Sequence, residues 1–183
     1  MFPEHVAAAG TVMHRIHRAA FGAWWFDGSE TWRFNPTGAP GLGSCYLAET
    51  AVAGLLEVFK GVRVVDDADV RVRAHFVVTL DKPLRLADVG ASGANGFGVN
   101  GEIHSTTDYA LTQRWASAFA LAGFAGVRYL CRSDPGMNLV AYALFDHAGE
   151  ARSGRWPDGV DRPIGDEVLR EAEQFGLIVR PAP

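Results

Sequence analysis

The sequence has 183 residues, of which 48% are hydrophobic and 21% are charged, and these values fit one globular domain with a single core. The formal net charge of −4 gives no electrostatic reason to attract a phosphate backbone, so direct nucleic-acid binding is not expected. No apolar stretch approaches the roughly 20 residues of a membrane span. Residues 1–10 lack the pattern of a signal peptide. We therefore expect a soluble cytoplasmic protein that does not bind a membrane.

The first part of the chain predicts strands around an aromatic loop. Residues 11–18 have the alternation of a half-buried strand. Residues 21–43 are crowded with aromatic residues and turn formers, which predicts an ordered loop with a short strand. Residues 44–48 form another β-type run, and Thr50 follows as the expected N-cap of a helix that begins at Ala51.

This helix has one apolar stripe and one notable carboxylate. Val52, Leu55, Leu56 and Phe59 repeat at the spacing of a single buried helix face. Glu57 falls outside that stripe. Its carboxylate can therefore reach a neighbouring cleft without being buried unpaired, which would be costly.

The middle of the chain predicts two strands, a loop and a second long helix. Residues 70–80 and 84–89 have the composition of sheet strands. Residues 90–101 contain five glycines, which predicts a mobile surface loop or active-site lid that packs no core of its own. The segment lacks the strand-to-helix context of a P-loop. Thr106 or Thr107 is expected to cap the next helix, which ends at Gly123.

The last part predicts two strands, a polar tail and a short helix. Residues 126–132 and 138–145 are strand candidates separated by the turn Asp134-Pro135-Gly136. Residues 149–162 are polar and rich in turn formers, and residues 165–176 predict a terminal helix. Such irregular alternation favours an α+β fold: a single domain with mixed or antiparallel sheets flanked by a few helices.

Several site types are disfavoured by spacing. The six histidines form no pair at established metal spacing with a third ligand, so no metal site is expected. Ser44, Ser105 and Ser133 lack the Gly-x-Ser-x-Gly setting of a serine hydrolase. Cys45 and Cys131 are too few for a disulfide framework and are expected to be buried free thiols.

Arg33 is the first candidate for ligand binding. It lies between Trp32 and Phe34, and a guanidinium held between aromatic rings suits a pyrophosphate or a carboxylate because it donates paired hydrogen bonds. An aromatic-stacked surface arginine is the alternative interpretation. We expect both Arg33 and Glu57 to lie outside the core, so that replacing either with alanine leaves the fold intact.

Five segments resemble, in order, the signatures of the RES domain. They are Arg15-Ile16; Trp32-Arg33-Phe34-Asn35-Pro36; Cys45-Tyr46-Leu47-Ala48-Glu49 together with Leu56-Glu57-Val58; Leu111-Thr112-Gln113-Arg114-Trp115-Ala116; and Gly126-Val127-Arg128-Tyr129. The signatures cover about residues 12–145 of a single domain spanning residues 1–183. Residues 146–183 are then a C-terminal extension with a short helix.

The resemblance implies a fold similar to ADP-ribosyltransferase toxins and an activity that cleaves the nicotinamide–ribose bond of NAD⁺ by hydrolysis or phosphorolysis. NAD⁺ is then a substrate, inorganic phosphate is the co-substrate in the phosphorolytic case, and no cofactor is implied. The resemblance also implies an antitoxin partner with a helix-turn-helix DNA-binding domain, through which oligomers can form. Transfer of ADP-ribose to a protein and an inactive RES-like binding module are the alternatives.

The family residues map onto named positions of this chain. The resemblance places Arg33 at the family arginine, Tyr46 at the accompanying tyrosine and Glu57 at the glutamate. The family serine falls at Cys131, and Ser133 lies two positions further on. Either the cysteine substitutes for the serine, or Ser133 serves, or this member is impaired.

The proposed chemistry suits these residue types. Loss of nicotinamide leaves an oxocarbenium-like ribose, which a carboxylate such as Glu57 stabilises. Arg33 would anchor the pyrophosphate and thereby orient the scissile bond, with Arg15 as a second phosphate candidate. Tyr46 would stack on the nicotinamide or ribose, with its hydroxyl free for a hydrogen bond.

Overall fold

The computed structural model of the protein describes residues 1–181. Its strands are β1 (Glu4–Ala7), β2 (Val12–Arg18), β3 (Trp25–Phe26), β4 (Leu42–Ala48), β5 (Val64–Asp66), β6 (Arg73–Thr79), β7 (Leu84–Asp88), β8 (Gly126–Leu130), β9 (Val140–His147), β10 (Gly149–Glu150), β11 (Gly159–Arg162) and β12 (Ile178–Arg180). Its helices are α1 (Ala51–Phe59), α2 (Asp67–Arg71), α3 (Glu102–Ser105), α4 (Tyr109–Leu121) and α5 (Asp166–Gln174), with a 3₁₀ helix at Ser92–Phe97.

One mixed sheet organises these elements. Eight strands follow the order β1-β7-β8-β9-β4-β2-β6-β11. Strands β7 and β8 are parallel, whereas the other neighbours are antiparallel. Two small pairs, β10 with β3 and β12 with β5, complete the strand set of residues 1–181. The predicted α+β class, with a mixed sheet and a few helices, is confirmed.

Helix α1 begins where the sequence predicts and is oriented by its apolar stripe. The Thr50 side chain accepts a hydrogen bond from the backbone N–H of Ala53, which caps the first turn. The stripe residues are all buried, and they pack against Ile16 of β2 and Val168 of α5. Glu57, which is outside the stripe, is consequently left half-buried on the flank of the helix.

The strand predicted at residues 70–80 begins later than expected. Residues 67–71 form the short helix α2, and β6 starts at Arg73. Asp67 and Asp69 lie in the first turn of α2, where carboxylates are favoured by the helix dipole, and Asp67 forms an i,i+4 ion pair with Arg71. These local charges favour a helical turn over an extended start to the strand.

The glycine-rich segment 90–101 differs from the predicted mobile loop or lid. It contains the 3₁₀ helix, and both Ala94 and Val99 are buried in the main core cluster with Phe119 and Phe124 of the α4 region. No residue of this segment lines the cavity described below. Most of the segment is exposed, as predicted for a surface loop, but Ala94 and Val99 anchor it to the shared core and it does not cover the cavity as a lid.

The cap of α4 and the strand β11 also differ from the sequence prediction. The side chain of Asp108, not that of Thr106 or Thr107, caps α4 by accepting from the N–H of Ala110, while Thr106 accepts from the N–H of Asp108. Within the segment predicted as polar tail, β11 pairs with β6 as an edge strand of the sheet. All four of its residues are exposed, so no apolar alternation announces it.

Cys45 and Cys131 are both buried free thiols, as predicted. Among residues 1–181, no helix is long and apolar enough to cross a membrane.

Candidate active site

A cavity of about 520 Å³ opens between the N-terminal strands and α1. This volume lies within the roughly 300–1,000 Å³ typical of small-molecule sites. Its wall includes Arg15, Arg33, Tyr46 and Glu57, the four candidates other than the serine position. The fold thus brings together side chains from β2, the aromatic loop, β4 and α1.

Glu57 is the carboxylate that faces this cavity from α1. Its side chain is 19% exposed, and its Oε2 atom lies 3.9 Å from Nη2 of Arg33. The hydroxyl of Tyr129, on β8, donates a 2.8 Å hydrogen bond to the same Oε2 atom. Glu57 is therefore held from one side by a fixed donor and faces a cation on another.

Arg33 is more deeply placed than the sequence predicts. Only 6% of its surface is exposed, and its Nη1 donates to the backbone carbonyl of His104. Its guanidinium carbon lies 5.1 Å from the ring centre of Phe34 and 4.9 Å from that of Tyr129. The aromatic setting agrees with the sequence, but the expectation that Arg33 lies outside the core is wrong.

Helix α4 holds the loop that carries Arg33. The Gln113 side chain donates to the carbonyls of Glu30 and Trp32 at 2.8 and 3.0 Å, and the Thr112 hydroxyl donates to the carbonyl of Arg33. Thr112 and Gln113 are buried, where polar groups need partners. These contacts fix the loop backbone and so the direction of the guanidinium.

Tyr46 contributes its ring to the cavity and its hydroxyl to the loop. The hydroxyl accepts a 2.9 Å bond from the N–H of Phe34 and donates a 3.1 Å bond to Oδ1 of Asn35. The prediction of a free hydroxyl is therefore wrong. Burial, as the main cause, raises the pKa of Tyr46 well above its usual value, so the residue remains a neutral phenol.

Cys131 and Ser133 occupy different environments. Cys131 is fully buried, whereas Ser133 is half-buried. Burial, followed by the negative charge of Glu57, raises the pKa of this thiol well above its usual value. Neither residue lines the cavity. The charge of Glu57 thus acts on the thiol of Cys131, the residue at the family serine position.

Arg15 extends from β2 to the cavity wall. Its Nη1 contacts Sγ of Cys45, and its buried Nε has no hydrogen-bond partner within residues 1–181. A buried donor without a partner is costly unless a ligand or water satisfies it. The residue lines the cavity, where its guanidinium can contact an anionic ligand.

The cavity carries more positive charge than sequence reasoning found. Lys60, Arg132, Arg18 and Arg73 also line the wall, and the charges of Glu57 and Arg132 both act on Lys60. The ammonium nitrogen of Lys60 is 3.3 Å from the ring centre of Trp32. Burial, and then the charge of Arg132, lower the pKa of Lys60 to about 8. These basic residues are scattered along the chain, and no local pattern identifies them as a group.

The cavity is therefore electropositive in a protein with a net charge of −4. Six basic side chains face two carboxylates, those of Asp27 and Glu57. Such an imbalance inside a concave, partly desolvated site attracts anions. Among residues 1–181, no group of three or more His, Cys, Asp or Glu side chains is arranged to hold a metal ion.

Comparisons with known proteins agree with this architecture. A family model described as RES domain matches residues 12–163. A chain of the structure titled "Crystal structure of the M.tuberculosis MbcT-MbcA toxin-antitoxin complex" superposes with a TM-score of 0.63 and 18% sequence identity, covering 93% of this chain and 91% of that chain. No curated protein matches the sequence. At this identity, the structural likeness shows a shared fold.

Proposed function

The chain belongs to the RES domain family, and from this premise we propose that it degrades NAD⁺ by cleaving the nicotinamide–ribose bond. The observation that carries the proposal is the placement of Arg33 and Glu57, 3.9 Å apart, at the wall of one electropositive cavity. A dinucleotide needs a cation for its phosphates and a carboxylate for the ribose carbon that loses its base. This pair supplies both.

The reaction proceeds by heterolysis at the ribose. The bond between C1′ and the nicotinamide nitrogen breaks, and its electron pair neutralises the pyridinium ring, which leaves as nicotinamide. The ribose gains oxocarbenium character, and the fixed carboxylate of Glu57 stabilises that positive charge. An oxygen of water or phosphate then bonds to C1′ and releases its proton.

Binding is assigned to the cations of the inner wall. Arg15 lines the cavity with its guanidinium, and Arg33 offers a guanidinium fixed by His104 and two aromatic rings. Together they can hold the two singly charged phosphates of NAD⁺. The ring of Tyr46 lies on the same wall, where it can stack on nicotinamide or ribose.

In the cell, we propose that the protein is the toxin of a toxin–antitoxin pair and acts in the cytoplasm, where NAD⁺ is available. The related fold in the M.tuberculosis MbcT-MbcA toxin-antitoxin complex supports this role. The partner would be an antitoxin with a helix-turn-helix domain that covers the cavity. DNA binding would then belong to the partner.

The proposal is tested by incubating purified protein with NAD⁺, with and without inorganic phosphate, and identifying the products. Free ADP-ribose indicates hydrolysis, phosphorylated ADP-ribose indicates phosphorolysis, and labelled protein indicates transfer to a protein. Absence of nicotinamide in all conditions would overturn the enzymatic function and leave a binding module.

A pair of matched variants links the activity to the cavity. Glu57→Gln keeps the size of the side chain and removes its charge, so turnover should fall about a hundredfold or more. Glu171→Gln makes the same change on the exposed face of α5 and should leave turnover unchanged. Equal activity of Glu57→Gln and wild type would exclude Glu57 from the reaction.

A further inference from the structure

Two arginines face each other at one end of the cavity. Arg18 on β2 and Arg73 on β6 are directly opposed in the antiparallel register, and both line the cavity. Like charges at opposed positions destabilise a sheet. Neither guanidinium forms an ion pair with a carboxylate of residues 1–181. Within residues 1–181, no salt bridge therefore neutralises this pair of charges, and the charge of Asp69 acts on Arg73 only from a greater distance.

The surroundings of Arg73 show that its position is fixed. Its guanidinium stacks over Phe59, with the carbon 4.8 Å from the ring centre, and its Nη1 donates to the carbonyl of Asp69. Burial, and then the charge of Arg18, lower the pKa of Arg73. One arginine is thus rigid and half-buried, and the other is exposed on the neighbouring strand.

Two exposed aromatic rings line the same cavity as the two arginines. Phe21 is 60% exposed and Trp25 is 44% exposed, and both line the cavity. The N–H of Phe21 donates to the carbonyl of Arg18 at 3.0 Å, so a tight turn couples the ring to the arginine. Large exposed aromatic rings in a basic site are typical stacking surfaces for nucleobases.

Building on the proposed function, we propose that Arg18 and Arg73 form a second anion subsite for a phosphate monoester on the adenosine half of the dinucleotide, with Phe21 and Trp25 against the adenine. The two phosphates of the diphosphate are matched by Arg15 and Arg33, so this pair exceeds what NAD⁺ requires. A ribose 2′-phosphate, as in NADP⁺, adds about two negative charges at neutral pH. The enzyme is then expected to prefer NADP⁺ to NAD⁺.

The subsite can be tested apart from catalysis by calorimetric titration with 5′-AMP and with adenosine 2′,5′-bisphosphate. Wild-type protein should bind the bisphosphate about tenfold more tightly or better, because paired guanidiniums bind phosphate through charge-assisted hydrogen bonds. Arg18→Gln, at an exposed position, should abolish that preference. Arg152→Gln, at an exposed position outside the cavity, should retain it.

Turnover gives the second readout. The ratio of kcat/KM for NADP⁺ to that for NAD⁺ should exceed one in the wild type and fall about tenfold in both Arg18→Gln and Arg73→Gln, in line with loss of a phosphate contact. Equal affinity for 5′-AMP and the bisphosphate would overturn the subsite. So would inorganic phosphate alone binding as tightly as the bisphosphate, because the site would then hold a free anion.

The two proposals fail differently. A bisphosphate preference that depends on Arg18, in a protein that cleaves neither dinucleotide, would overturn the proposed function and support the subsite. Cleavage of NAD⁺ with no preference for the 2′-phosphate would overturn the subsite and support the proposed function.

Discussion

The hydroxyl of Tyr129 donates a 2.8 Å hydrogen bond to Oε2 of Glu57, although the two residues are 72 positions apart in the chain. Tyr129 is fully buried, and burial, as the main cause, raises its pKa well above the usual value. The hydroxyl therefore keeps its proton and acts as a permanent donor. Its function in the site is to fix the orientation of the carboxylate.

Replacing Tyr129 with phenylalanine should lower kcat about tenfold, because one hydrogen bond to a charged group contributes about 1.5 kcal/mol. KM should change little, since the hydroxyl does not touch the substrate. Steady-state kinetics with NAD⁺ measure both constants. Rates equal to those of wild type would show that the carboxylate is oriented without this bond.

A matched control exists on the neighbouring strand. Tyr142, also buried, donates a 2.6 Å hydrogen bond to Oε1 of Glu49, which does not line the cavity. Tyr142→Phe removes the same type of bond at a distance from the site. It should cost a similar amount of stability as Tyr129→Phe while leaving kcat unchanged.

The burial of Arg33 predicts a folding defect in its alanine variant. Arg33→Ala leaves the His104 carbonyl unpaired and removes the group that packs against the rings of both Phe34 and Tyr129. The free energy of unfolding should fall by about 2–4 kcal/mol, whereas an exposed change such as Arg152→Ala should stay within about 0.5 kcal/mol. Urea titration measures both values. An unchanged midpoint for Arg33→Ala would contradict the buried placement.

Elements with short-range sequence features, such as a helix cap or an apolar stripe, were the ones predicted correctly. Helix α1 was predictable because its cap, Thr50, and its apolar stripe are both short-range features. The same signals place Glu57 on the flank of the helix. Strand β11 was not predictable, since its residues are exposed and its pairing with β6 is long-range. The resemblance to the RES domain, which rests on ordered motifs, is confirmed.

The candidate site was predictable only for the residues that motifs mark. Arg33, Tyr46 and Glu57 belong to such motifs, and the fold gathers them at one cavity. Their partners are set by tertiary packing: the carbonyl that accepts from Arg33 lies 71 residues away. Because this partner is so distant in the chain, the sequence around Arg33 does not predict that the side chain is buried. Thr112 and Gln113 form a buried polar face on α4. Polar residues at these positions are a signal in the sequence for the hydrogen bonds from α4 to the loop that carries Arg33.

That polar face gives a prediction on loop order. Gln113→Leu removes both donors to the carbonyls of Glu30 and Trp32, at a cost of about 1 kcal/mol for each bond. Amide hydrogen exchange of residues 30–38 should accelerate, and KM for NAD⁺ should rise because Arg33 is less well placed. Gln174→Leu, on the exposed face of α5, should change neither. Unaltered exchange in the loop would show that other contacts hold it.

Stability should depend on pH through two buried histidines. Burial is the main cause that lowers the pKa of His75 and of His104 from 6.5 to about 4. The unfolded chain therefore binds these protons first as pH falls, so stability is full above pH 6.5 and is lost towards pH 4. The loss should reach about 1.4 kcal/mol per pH unit for each histidine. The carboxyl groups of Asp134 and Asp146 have pKa values below 3.8 and contribute at lower pH.

Urea midpoints measured from pH 4 to 7 test this dependence. The midpoint should change less steeply with pH in His75→Gln than in wild type. It should change as in wild type in His147→Gln, which alters an exposed site. An identical slope in all three proteins would rule out His75 as a source of the pH dependence.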